Sequence, residues 1–71
     1  MNRLNPRKLL LSKWTAAHPQ HREKHFLVSQ LFCDAAGKVQ DIELQAVLTQ
    51  RCQRLNWQAL QNDGDWQMGW R

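Results

Sequence analysis

The chain has no tyrosine, only two cysteines, two prolines and three glycines, and no unbroken apolar run longer than three residues. Runs this short exclude a membrane-spanning helix and the hydrophobic core of a signal peptide. Two cysteines without a secretion signal predict reduced thiols in the cytoplasm rather than a disulfide framework. The 71 residues suffice for one domain, and a hydrophobic content of 42% argues against intrinsic disorder.

Tryptophan and positive charge are abundant instead. The chain has four tryptophans and a net charge of +4. A large aromatic side chain buries about 150–250 Å², so the tryptophans are expected to anchor a core in a chain too short for a large aliphatic one. Residues 1–40 carry seven Lys/Arg against two Asp/Glu, whereas residues 41–71 carry three against four. We therefore expect an anionic partner to meet the N-terminal half.

Two apolar runs around a glycine-containing turn predict a central β-hairpin. Residues 25–33 are rich in aromatic and β-branched side chains, which is typical of a buried strand. Residues 34–38 predict the turn, in which Gly37 supplies a positive φ. Residues 39–49 alternate between apolar and polar side chains and complete the hairpin. A short return strand is expected at 52–55, after a tight turn near residues 50–51.

Three further segments need separate interpretation. Helix-forming residues leave a helix as the alternative to strand over 42–55. Residues 1–8 are polar and basic and are expected to form a flexible arm ahead of a single domain at 9–71. Residues 9–16 predict a strand, and the polar residues 17–24 predict a loop.

The last part of the chain predicts a helical turn and a closing strand. Asn56 is the expected N-cap of one short helical turn near residues 57–61. Residues 62–65 predict a turn, and residues 66–70 a strand with both of its tryptophans on one face. The whole pattern indicates a mainly β protein: a small bent antiparallel sheet, or a Tudor-like or Sm-like barrel, of four or five short strands.

Several segments of the chain form a recognisable set: Ser12–Ala16, His25–Val28, Glu43–Val47, Trp57 with Leu60, and Trp66–Trp70. The most specific features are a lysine-tryptophan-threonine motif near the start and a tryptophan-x-x-glycine-tryptophan motif at the end. Together these segments resemble a family of short tryptophan-rich bacterial proteins of unknown function. The resemblance covers about residues 5–71 and implies no activity, cofactor or site.

Metal binding and catalysis are not expected. The residues that could bind zinc are His18, His21, His25, Cys33 and Cys52. Zinc needs three or four converging nitrogen or sulfur ligands, yet a proline follows the first histidine and no Cys-x-x-Cys pair occurs. No nucleophile motif or glycine-rich phosphate loop is present either, so we expect no enzyme, metal or cofactor.

Binding of RNA or single-stranded nucleic acid is the more specific of two functional hypotheses. Such binding needs cations that contact phosphates and exposed aromatic rings on which bases stack. The candidate residues are Arg7, Lys8, Lys13, Arg22, Lys24 and His25. The alternative is a protein-protein interaction module or homodimer. Its candidate surface is a strip formed by Trp66, Met68 and Trp70.

Overall fold

A computed structural model describes residues 1–71 as one open antiparallel sheet of five strands in the order β4-β3-β2-β1-β5. Two short 3₁₀ turns, η1 and η2, are its only helical elements. In chain order the elements are η1 (Pro6–Lys8), β1 (Lys13–Gln20), β2 (Glu23–Cys33), β3 (Val39–Ala46), β4 (Cys52–Asn56), η2 (Trp57–Gln61) and β5 (Trp66–Met68). The mainly β prediction is therefore confirmed.

The hydrophobic core lies on one face of the sheet. Alternating side chains of β1, β2 and β3 point into it, and the N-terminal segment and η2 pack over them. Trp14 is the largest fully buried side chain, and Leu60 of η2 is equally enclosed. The buried apolar residues are Leu9, Trp14, Phe26, Val28, Val39, Ile42, Leu44, Ala46 and Leu60. The other face carries mostly polar side chains, and we refer to it as the open face.

The central hairpin forms as predicted. The carboxylate of Asp34 accepts hydrogen bonds from the backbone N–H groups of Ala36 and Lys38, both at 2.9 Å. Gly37 has a φ of +81°, a conformation that a residue without Cβ adopts readily. The strand predicted over residues 39–49 is confirmed as far as Ala46, whereas residues 47–49 form the turn into β4. The strands β3 and β4 exclude the helical alternative for 42–55.

The first strand differs from its prediction at both ends. Residues 10–11 form a turn instead, and Leu11 has a φ of 66°, outside the strand region. The predicted loop at 17–24 is wrong: β1 continues to Gln20 and pairs there with Glu23 of β2. Pro19 is tolerated because it lies where the β1–β2 register shifts, so its missing N–H costs no ladder bond.

The barrel alternative is wrong, because the sheet is not closed. β4 and β5 form its two outer edges and do not pair with each other. These edge strands have only five and three residues, too few to supply the staggered pairing that a closed barrel requires. The predicted closing strand at 66–70 stops at Met68, since Gly69 has a φ of +81°.

The second 3₁₀ turn begins as predicted, with Asn56 as its N-cap. The side-chain oxygen of Asn56 accepts a hydrogen bond from Gln58 N at 2.8 Å. At the N-terminus, the amide of Asn2 donates to the backbone oxygens of Leu60 and Trp66 at 2.8 and 2.9 Å. The N-terminal residues therefore lie against η2 and β5, and the flexibility of residues 1–8 stays a prediction.

Candidate functional site

The open face is defined by the pairing of β1 with β2. Trp14 lies opposite Phe26, and both side chains point into the core. Since successive side chains of a strand alternate between faces, the paired residues Thr15 and His25 point the other way. Lys13 lies two residues before Thr15 and shares that face.

The last three residues, Gly69–Arg71, cross this face, and we refer to them as the strap. Gly69 N donates to Lys13 O at 2.8 Å, and its left-handed conformation turns the chain out of β5. The hydroxyl of Thr15 donates to Gly69 O at 2.7 Å and accepts from Arg71 N at 2.9 Å. Thr15 is only 1% exposed. The strap is therefore fixed to β1 by three hydrogen bonds.

Trp70 of the strap lies beside the side chains of Lys13 and His25. Its indole N–H donates to Phe26 O at 3.0 Å, which fixes the ring across β1 and β2. The Lys13 ammonium lies 4.8 Å from the centre of the indole ring, within cation–π range. The imidazole of His25 lies 6.1 Å from the same ring, tilted by 46°. With 46% of Trp70 still exposed, the ring remains accessible to a ligand.

Arg22 of the β1–β2 turn and Lys24 at the start of β2 add two cations beside His25. His21 and Arg22 form this turn, with φ values of 54° and 62°. Arg22, Lys24 and His25 then line a shallow pocket of about 260 Å³ with the apolar side chains of residues 47–48. We refer to Lys13, Arg22, Lys24, His25 and Trp70 together as the basic patch.

The structure separates some of the residues that were expected to act together. Arg7 and Lys8 belong to η1, and Arg7 lines a pocket with Lys38, at the end of the sheet away from the β1–β2 turn. The patch therefore brings together four of the six residues predicted to bind nucleic acid: Lys13, Arg22, Lys24 and His25.

The predicted aromatic strip is also divided. Trp66 packs edge-on against core residue Phe26, with ring centres 5.2 Å apart. Met68 lies opposite Trp14 and is 50% exposed. Trp70 lies on the open face, because Gly69 redirects the chain after Met68. The three side chains do not form one surface.

Glu23 is a buried, ion-paired residue that sequence reasoning missed. It is 3% exposed, and its carboxylate accepts hydrogen bonds from Arg51 and Thr49. The hydrogen bond from Arg51, followed by that from Thr49, lowers the pKa of Glu23 from its ordinary value of 4.5. No local signal distinguishes it, because a glutamate between Arg22 and Lys24 reads as a solvated loop charge.

The histidines and cysteines do not lie together in one cluster. No group of three His, Cys, Asp or Glu side chains is placed to hold a metal ion. Cys33 and Cys52 are free and exposed, and a hydrogen bond with Glu43 raises the pKa of the Cys52 thiol. His18 lies beside Glu23 in another pocket, of about 290 Å³.

Comparisons with known proteins place the chain in a family without adding a known activity. No helix has the length and apolar character needed to span a membrane. Searches of curated proteins and of solved structures found no significant match. The family described as "Tryptophan-rich protein (DUF2389)" matches residues 12–71, which include β1 to β5 and the strap. The chain therefore belongs to this tryptophan-rich protein family.

Proposed function

We propose that this protein binds single-stranded nucleic acid, RNA above all, on the basic patch. The observation that carries the proposal is the placement of Trp70: a half-exposed ring, fixed by its own hydrogen bond, with Lys13 and His25 beside it. Single-strand binding sites combine cations along the backbone with aromatic rings on which bases stack. A ring that is already fixed loses little conformational entropy when a base stacks on it.

The charges of the patch are available to phosphates. None of Lys13, Arg22 and Lys24 takes part in the three ion pairs of the chain. If these residues neutralise three phosphates of a single strand, the logarithm of the affinity should fall with the logarithm of the salt concentration with a slope of about −2. Stacking on Trp70 is tolerant of sequence, because every base has a π face. We therefore expect salt-dependent binding with weak sequence preference.

Acidic side chains confine the proposed path of the nucleic-acid strand to one half of the open face. Asp41 and Glu43 lie on β3, beyond β2 from the strap. Asp41 pairs with Arg54 at 3.0 Å, whereas the Glu43 carboxylate accepts from the Ser29 hydroxyl at 2.9 Å and keeps its charge uncompensated. Repulsion from Glu43 favours a path along β1 and the β1–β2 turn.

The test is fluorescence anisotropy of a labelled oligouridylate over a range of salt concentrations. We expect Lys13→Gln to reduce the salt slope by about 0.7. We expect Trp70→Leu to weaken binding by about 5- to 150-fold. Arg3→Gln is the matched control, because Arg3 is exposed and follows Asn2, which is bonded to η2 on the core side. Absence of binding at low salt, or equal effects of Lys13→Gln and Arg3→Gln, would refute the proposal.

A second candidate function is assembly with another protein or a second copy through β5. The outer edge of β5 is unpaired and Met68 beside it is half exposed, so an added strand could extend the sheet. Sedimentation analysis tests the second copy: concentration-dependent dimerisation that Met68→Asp abolishes would support it. A monomer at every concentration would oppose it.

The exposed thiols of Cys33 and Cys52 suit a reducing compartment. We therefore propose the cytoplasm as the place where either partner is met.

A further inference from the structure

A second pocket lies at the end of the sheet away from the basic patch. There η1, the β2–β3 turn and the junction of β4 with η2 surround an open pocket of about 410 Å³. Small-molecule sites commonly have volumes of about 300–1,000 Å³. The side chains that matter for its chemistry are Arg7, Lys38, Trp57, Asn5, Asn56 and Gln58.

The pocket holds two cations that have no acidic partner. Neither Arg7 nor Lys38 takes part in an ion pair of the chain. The two acids nearest to Lys38 along the chain, Asp34 and Asp41, do not line the pocket. Hydrogen bonds from Lys38 N, Gln40 and Ala36 N engage the Asp34 carboxylate, and Asp41 pairs with Arg54. A guanidinium and an ammonium in one pocket, with no carboxylate among the lining residues, favour a phosphate-sized anion.

The remaining lining groups suit a planar ring with polar edges. Trp57 offers an aromatic surface, since it is only partly buried against the core. The side-chain oxygens of Asn5 and Asn56 accept backbone hydrogen bonds from Arg7 N at 3.1 Å and Gln58 N at 2.8 Å. Each amide nitrogen therefore has a fixed orientation and is free to donate to a ligand.

We propose that this pocket binds one nucleotide unit: its phosphate between Arg7 and Lys38, and its base against Trp57 within reach of the asparagine amides. The unit can be a free nucleoside monophosphate or the phosphorylated end of a strand. The pocket shares no residue with the basic patch, so this inference does not depend on binding at the open face.

The experiment is a titration of the ¹⁵N-labelled protein with adenosine 5′-monophosphate, adenosine and inorganic phosphate. The signals to follow are the indole N–H of Trp57 and the side-chain amides of Asn5 and Asn56. We expect the nucleotide to bind at least about tenfold more tightly than either of its halves, because only the nucleotide engages both the cations and the ring. A 5′-phosphorylated oligonucleotide and its 5′-hydroxyl counterpart then show which source of the unit is preferred.

Variants at the exposed cations provide the decisive comparison. Arg7→Gln and Lys38→Gln should each weaken nucleotide binding by about fivefold or more, since each removes a charge-assisted contact to phosphate. Arg3→Gln removes the same charge outside the pocket and should change the affinity less than twofold, and Lys13→Gln in the basic patch should also leave it nearly unchanged. Trp57 is left intact because its ring also packs on the core.

Three results would overturn the inference. The first is that inorganic phosphate binds as tightly as the nucleotide, and the second is that the nucleotide leaves the chemical shifts of Trp57, Asn5 and Asn56 unchanged. The third is that Arg7→Gln and Arg3→Gln weaken binding equally. If instead Lys13→Gln reduces the salt slope of oligonucleotide binding as expected while the pocket titration fails, the open-face proposal survives and this one does not.

Discussion

Replacing Gly69 by alanine should release the strap while leaving the sheet folded. The φ of Gly69 is +81°, and a Cβ added there would meet no atom within 4 Å. The cost of alanine is therefore one of backbone conformation, about 1–2 kcal/mol for an L-residue in the left-handed region. Because 1.4 kcal/mol is a factor of ten in an equilibrium constant, the strap should open about 5- to 30-fold more often.

The assay is hydrogen exchange of the Trp70 indole N–H, which is protected by its bond to Phe26 O. In the Gly69→Ala variant its exchange should accelerate by the same about 5- to 30-fold, provided that local opening governs it. The exchange of amides in the centre of β2 and β3 should change less.

The central turn provides a matched control. Gly37 also has a φ of +81° and an open surrounding, but it lies in the β2–β3 turn away from the strap. Gly37→Ala should lower global stability by a similar amount and leave Trp70 exchange much less affected. Equal acceleration in both variants would show that Trp70 is released only by global unfolding. No acceleration in Gly69→Ala would show that the strap does not need the left-handed residue.

Two further predictions concern stability. The pKa of Glu23 is lowered on folding, so the unfolded chain binds more protons, and stability should fall as the pH drops below the ordinary value of 4.5. Urea unfolding from pH 7 to 3 should show this loss, and Glu23→Gln should flatten it; an unchanged profile would contradict the assignment. Leu60→Ala should cost about 3–5 kcal/mol because the side chain is fully buried. Unfolding followed by tryptophan fluorescence measures this, and a cost below about 1 kcal/mol would mean that η2 is not part of the core.

Local patterns sufficed wherever one residue type determines the backbone. Gly37 and the Asp34 side chain make the central turn, and the Asn56 side chain starts η2. The alternation of residues 39–46 follows from one buried face, so it predicted β3, although the predicted strand extended three residues too far, to Thr49.

The failures occur where tertiary pairing overrides a local signal. His21 and Arg22 form a left-handed turn without glycine or asparagine, so a segment that looks like a loop is a hairpin end. Glu23 looks like a surface charge, but its burial depends on Arg51 and Thr49, which are far away in sequence.

The two candidate sites could be predicted only in part. The charge distribution predicted that an anionic partner would meet the N-terminal half, and Lys13, Arg22, Lys24 and His25 do share one region. That Trp70 would join them follows from the redirection of the chain at Gly69 rather than from the strand pattern. The pocket around Arg7 and Lys38 is assembled from three segments that no sequence window contains together.

In the β1–β2 turn, a substitution that raises thermal stability also removes surface charge, because both properties depend on the same two positions. Two-residue hairpins with positive φ at both central residues are best formed by Asn-Gly, whereas this chain uses His21 and Arg22. Each residue with a Cβ in this conformation costs about 1–2 kcal/mol, against a total stability of only about 4–10 kcal/mol for a domain of this size. Replacing these two residues by Asn-Gly would give a more stable protein with a weaker positive potential at this turn. Selection of variants by thermal stability alone would therefore remove the positive charge that this turn exposes to solvent.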